Sequence, residues 1–187
     1  LAIAEKTFGP EHTDVARELL SLGFVLRDLG EGERARALFQ RALAINEKAL
    51  GPDHPQLAEY LQAVASSLLD SGDATGALSL IERALAIRER AGGPESVDVA
   101  ESLAVHLGRA LTVAGRYDDA RQKYERALGI YRAKLGTEHS AQEVPLQGLA
   151  FVLAKLSRRA EALDAALRAQ ELSTAHVRLA VTSMTEH

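Results

Sequence analysis

Several residue types and patterns are missing from this 187-residue chain, and each absence excludes something. It has no cysteine, so disulfides, thiolate zinc sites and cysteine nucleophiles are ruled out. Tryptophan is absent and the aromatics are only four Phe and four Tyr, thin for the core of a mixed α/β enzyme. No apolar run approaches the ~18 residues that a membrane span requires. Neither sign of charge dominates: 22 basic residues face 26 acidic ones, for a net charge of −4. That balance exerts no general pull on DNA, RNA or anionic lipid. Phosphate loops, nucleophile elbows and HExxH helices are all lacking, so no enzyme and no cofactor are expected. What is there is a chain 47% hydrophobic and 26% charged, a composition that builds a folded, water-exposed structure.

Self-similarity organises the sequence. LAIAEKTFGPEHTDVA at residue 1 returns as LAINEKALGPDHPQLA at 43 and as LAIRERAGGPESVDVA at 85. A weaker copy, LGIYRAKLGTEHSAQE, begins at 128. The units are 1–42, 43–84, 85–127 and 128–169, leaving 170–187 as a helix end, cap and tail. The third unit holds one extra residue, placed between Gly93 and Leu107. Gly30, Gly72 and Gly115 share one register, as do Ala35, Ala77, Ala120 and Ala162.

Each unit reads as two helices. The first runs, in the second unit, from Ala58 to Ser71, with Leu57, Leu61, Val64 and Leu68 on one face at helical spacing. A glycine breaks it, and the second helix, in the first unit from about Glu33 to Leu50, turns Ala35, Leu38, Phe39, Ala42 and Ile45 inward. Small alanines at fixed places let helix axes approach closely. No strand-like alternation competes. One hairpin cannot bury its apolar face alone, so successive pairs must stack into an all-α solenoid with a concave face lined by first helices. The opening LAIAEKTFGPEH lacks a Met, a basic region and a cleavage pattern. It reads as the end of a helix cut inside a repeat, which predicts a longer parent chain upstream. The missing targeting signals point to the cytoplasm. Arginine well in excess of lysine suggests a GC-rich genome.

The Ala-x-x-Gly/Ala spacing, the glycine between helices and the later alanine resemble tetratricopeptide repeats. The long unit, with ERALAI-x-E-x-A-x-GP-x-H in its linker, is similar to the subtype of kinesin light chains and of many bacterial arrays. The resemblance covers residues 1 to about 170 and implies a right-handed solenoid of antiparallel helix pairs. It assigns Gly23, Ala65, Gly108 and Ala150 to the small position of the first helix. Ala42, Ala84, Ala127 and Ala169 fill the later one of the second helix. The family's aromatic after the inter-helix glycine survives only as Tyr117; Gly32, Ala74 and Arg159 replace it. In the fourth unit Ser157 stands where that glycine is expected, and Pro145 lies near the start of the first helix, so that helix is expected to begin late. Such a degenerate last repeat acts as a cap and places the natural C-terminus close by.

By the same resemblance, the concave groove falls on Arg17, Leu20, Phe24, Arg27 and Asp28 in the first unit. Glu59, Gln62, Ser66, Leu69 and Asp70 follow in the second, and Ser102, Val105, Arg109 and Thr112 in the third. Val144, Gln147, Phe151 and Lys155 complete it. Arginine forks suit carboxylates, and amides can bond an extended main chain, so the expected partner is a protein or an extended peptide of acidic and apolar character. The same positions also suit ordinary solvated helix residues. The paired asparagines with which light chains hold cargo are replaced by Leu20-Ser21, Gln62-Ala63, Val105-His106 and Gln147-Gly148, so kinesin-type cargo binding does not carry over. Two further readings stand beside the scaffold. One is a sensor or autoinhibitory arm docking on an upstream domain of a signalling protein, for instance a nucleotide-switch ATPase; the other is self-association through the cut first helix.

His12, His54 and His139 recur in the inter-repeat turn. Successive units lie about 10 Å apart, too far to share a metal bound at ~2 Å, so these histidines are expected to cap the next helix or to bond within the turn. His106 and His176 stand alone. The Asp118-Asp119 pair suits a helix start, as do Glu31, Glu33 and Arg34, and the Arg158-Arg159 pair is too small a basic cluster to hold nucleic acid.

Overall fold

A computed structural model describes the backbone of residues 1–185 and the side chains of 1–175. Every element among them is helical: α1 (Ala2–Phe8), α2 (Thr13–Asp28), α3 (Gly32–Leu50), α4 (Leu57–Asp70), α5 (Ala74–Gly92), α6 (Val97–Glu101), α7 (Arg109–Val113), α8 (Tyr117–Leu135), α9 (Glu143–Lys155) and α10 (Arg159–Thr185). A π-helical segment, Ser102–Gly108, joins α6 to α7, and a 3₁₀ turn, Ser140–Gln142, leads into α9. The chain forms two compact units, one of Leu1–Gly93 and one from Pro94 onward. In the first, α2 packs on α3, α3 on α4 and α4 on α5, with α1 against α2. In the second, α6, the π segment and α7 together pack on α8, α8 on α9 and α9 on α10. The last helix runs on to Thr185, through the segment expected to hold a helix end, cap and tail.

One turn chemistry closes each first helix. In α2 the Glu31 N–H donates to the Leu26 carbonyl at 2.8 Å and the Gly30 N–H to that of Arg27 at 2.9 Å, the paired bonds of a Schellman cap. Asp73 and Gly72 repeat them on Leu68 and Leu69, and Arg116 and Gly115 on Leu111 and Thr112. The cap requires a left-handed residue, and Gly30, Gly72 and Gly115 supply it with φ between 74° and 86°. The fourth unit makes the same bonds, Arg158 to Leu153 and Ser157 to Ala154. There Ser157 is forced to φ 61°, a conformation that crowds its Cβ against the backbone. The late start predicted from Pro145 is also present: residues 140–142 form the 3₁₀ turn, and the proline sits in the first turn of α9.

The inter-helix fit is set by a small residue facing a large one. A Cβ on Gly23 would overlap the Phe39 ring, and Phe39 is wholly buried, contributing about 1.5–3 kcal/mol by its removal from water. Gly108 stands in the same relation to Tyr124, whose ring also fills the space beside Gly148. At the matching positions of the second unit the residues are Ala65 and Ile81, and in the fourth Ala150 and Ala166. The smallest residue thus stands opposite a ring, and alanine takes its place where the partner shrinks.

The extra residue of the third unit is absorbed inside a helix and not in a loop. Val15, Leu57 and Val99 keep a strict 42-residue spacing, as do Leu19, Leu61 and Leu103, but Gly108 follows Ala65 by one residue more. The insertion therefore lies after Leu103, within the π segment, where one wider turn swallows it. In the first three units a recurrent arginine ties the second helix to the turn that opens its own helix pair. Arg41 reaches the Pro10 carbonyl at 3.3 Å and Glu5 at 2.8 Å. Arg83 reaches the Pro52 carbonyl at 2.7 Å and also Glu47, and Arg126 reaches that of Pro94 at 2.8 Å.

Two stability measurements follow from this packing. Ser157→Gly removes the strained left-handed serine and is expected to raise stability by about 1 kcal/mol in urea unfolding; no gain would mean that the strain is not there. Gly23→Ala should cost about 1–3 kcal/mol through overpacking on Phe39. Adding Phe39→Ile, which copies the Ala65–Ile81 combination, should make the double variant more stable than Gly23→Ala alone.

Candidate functional site

The recurring histidines take part in helix entry. His12 Nδ1 accepts from the Asp14 N–H at 3.2 Å, His54 Nδ1 from Gln56 at 3.3 Å, and His139 Nδ1 from Ala141 at 3.1 Å. Ser96 holds that register in the third unit, its Oγ accepting from the Val99 N–H at 3.3 Å, the usual service of a serine at a helix start. Among the described residues no cluster of three or more His, Asp or Glu is placed to hold a metal. His106 lies half-buried in the π segment, and the side chain of His176 lies outside the described residues.

In the first unit, α2 and α4 enclose a cavity of about 470 Å³. Four of the expected groove residues line it: Arg17, Leu20, Phe24 and Glu59. Leu20 is 5% exposed and forms the floor with Phe24, whose ring meets Phe39 at a centroid distance of 5.1 Å. Arg17 stands at the rim, held by Asp14 at 2.7 Å. The Arg27 guanidinium lies 5.1 Å from the Phe24 ring centroid and 3.7 Å from Asp28. Gln62 is nearly buried, its Oε1 accepting from Arg88 Nη2 at 2.9 Å. Ser66 is half-buried, Leu69 is buried and Asp70 exposed. Arg27, Gln62 and Ser66 lie outside the cavity lining.

In the compact unit from Pro94 onward, Ser102 departs from the expected groove. It is fully buried, because the extra residue comes after it: it shares its register with buried Tyr60, and Glu101 is the counterpart of Glu59. Val105 and Thr112 are half-buried and Arg109 is exposed. The Thr112 hydroxyl donates to the Gly108 carbonyl at 2.7 Å and lies 3.4 Å from the Tyr124 hydroxyl. Phe151 and Val144 are about half exposed, and Lys155 Nζ stands 5.3 Å from the Phe151 ring centroid. Gln147 donates to Glu143 at 3.2 Å and lines, with Ala166 and Ser173, a cavity of about 420 Å³ between α9 and α10.

The second helices also supply site residues, and the sequence reading overlooked them. Asn46 of α3 is 1% exposed and lines the α2–α4 cavity beside Tyr60. The signal lay in the repeat: Ile45, Ile87, Ile130 and Leu172 hold one apolar register, and the next residue changes every time, to Asn46, Arg88, Tyr131 and Ser173. A variable residue after a constant one marks a position that the core does not dictate. Tyr131, 4% exposed, has its phenol pushed up to about 12 by burial first and then by Glu101 and Asp98. A phenol raised in the folded state lends stability that is full below pH 10 and is lost as pH climbs through about 12. Urea unfolding of wild type should accordingly lose stability over that window, and Tyr131→Phe should lose less.

These features define a helix-pair repeat protein of the all-α solenoid class. The chain belongs to the tetratricopeptide repeat family, whose model matches residues 14–90 and 98–175. No curated protein matches it. Among solved structures, it is similar to a Podosopora anserina protein described as a kinesin light chain with nearly identical TPR-like repeats. The two share 23% identity and a TM-score of 0.77 over 94% of this chain and 82% of that one. BtubC (BKLC) from P. vanneervenii gives 19% and 0.78, over 88% and 66%. The apo form of RapI gives 20% and 0.79, over 95% and 63%. At these identities the likeness carries the fold. Among the described residues no helix is long and apolar enough to cross a membrane.

Proposed function

We propose that this array is a non-catalytic scaffold that binds a protein or an extended peptide along the first helices of its repeats. The observation that carries the reading is the α2–α4 cavity, where an apolar floor of Leu20 and Phe24 lies beneath the polar rim of Arg17 and Glu59. A groove of this make-up takes an apolar side chain below and leaves polar groups to fix the main chain. The family binds many unrelated partners, so the partner's identity rests with this surface and not with the fold.

Selection of displayed random peptides on the whole chain tests the proposal, with a counter-selection on the variant carrying Leu20→Ala and Phe24→Ala. Enrichment of one motif that the folded double variant loses is the expected result. Absence of any enriched motif from a folded monomer would overturn the groove reading.

A further inference from the structure

We propose that the α2–α4 cavity reads the main chain of an extended peptide at Asn46 and favours a neutral or cationic side chain there over an acidic one. The inference rests on the scaffold reading and adds to it an anchor and a sign of charge. Asn46 is buried to within 1%, and its Nδ2 has no hydrogen-bond partner. That N–H group stands on the wall of a cavity of about 470 Å³ as a buried donor. A buried donor left unpaired costs about 1–3 kcal/mol, a cost relieved when an acceptor enters. A main-chain carbonyl suits it, being neutral and carrying no charge to strip of water.

The rim decides the sign. Asp14 and Glu59 place two carboxylates there against one guanidinium, Arg17, which Asp14 already holds at 2.7 Å. Arg27, the other expected fork of this unit, is spread over Phe24 beside Asp28. An incoming carboxylate would meet a net negative rim with its guanidinium engaged; a lysine would find Glu59. The register supports reading Asn46 as a position of choice, since one repeat further on Arg88 holds it and likewise reaches a first helix, at Gln62.

Two fluorescein-labelled, capped heptapeptide pools test this on the whole chain, random except for a central Lys in one and a central Asp in the other. The Lys-centred pool should show the larger anisotropy change at equal concentration, and Glu59→Gln should narrow that difference. Asn46→Leu should weaken binding of both pools by about tenfold, the effect of one lost hydrogen bond, without lowering the melting temperature. Unchanged binding by a folded Asn46→Leu variant, or preference for the Asp-centred pool, would overturn the inference. Should Asn46→Leu fail to fold, the Asn46 side-chain amide signal in ¹⁵N-labelled wild type replaces it: a downfield shift on adding the Lys-centred pool supports the anchor, and a fixed signal while backbone signals elsewhere move refutes it. Peptides that the selection enriches but that ignore Asn46 and Glu59 defeat this inference alone, whereas a selection that enriches nothing defeats the scaffold reading itself.

Discussion

Phe39 occupies the space that a side chain on Gly23 would need, and that close approach governs how the first helix of a unit meets the second. Tyr124 does the same for Gly108 and reaches Gly148 as well. Because interiors pack as densely as crystals, a helix pair can come this close only if one partner yields its volume to the other. The register of small and large residues therefore sets where α2 lies on α3, and so where Leu20, Phe24 and Arg17 stand around their cavity. A site made of side chains from two or three helices inherits its shape from such contacts.

The third unit shows how firmly this frame is held. Its extra residue could have lengthened a loop at little cost, yet it sits between Leu103 and Gly108, with buried core residues on either side. Both flanks keep their partners, and the backbone between them widens into a π turn. The same rule holds in the fourth unit, where the Schellman bonds persist although a serine must take the left-handed conformation. In both places local backbone comfort yields to packing.

Much of the fold was legible in the residues. The glycines, the GP turns and the 42-residue register predicted helix bounds that the structure reproduces within a residue or two, and Pro145 announced the late start of α9. The recurring histidines do what was expected of them, His12 capping α2, His139 capping the 3₁₀ turn and His54 bonding within the turn before α4. Of the residues expected along the groove, Arg17, Leu20, Phe24 and Glu59 meet around one cavity, whereas Ser102 is buried, because a single inserted residue shifts a helix face by about 100°. Asn46 was overlooked because attention fell on the first helices, although its register was the one that varied.

The sequence by itself determined the helix pairs, their breaks and their caps, since these depend on periodicity, glycine and proline, which act over a few neighbouring residues. The tertiary structure alone decided which polar groups are paired across helices. Gln62 of α4 is taken by Arg88 of α5, whereas Arg17 with Asp14 and Arg27 over Phe24 are i,i+3 contacts within α2 that spacing along the chain already allows. Asn46 is buried with one donor unpaired, a condition that appears only when α3 packs against α4. Pairing depends on distances of about 3 Å between side chains from different helices, and no spacing along a chain fixes those before the helices have packed.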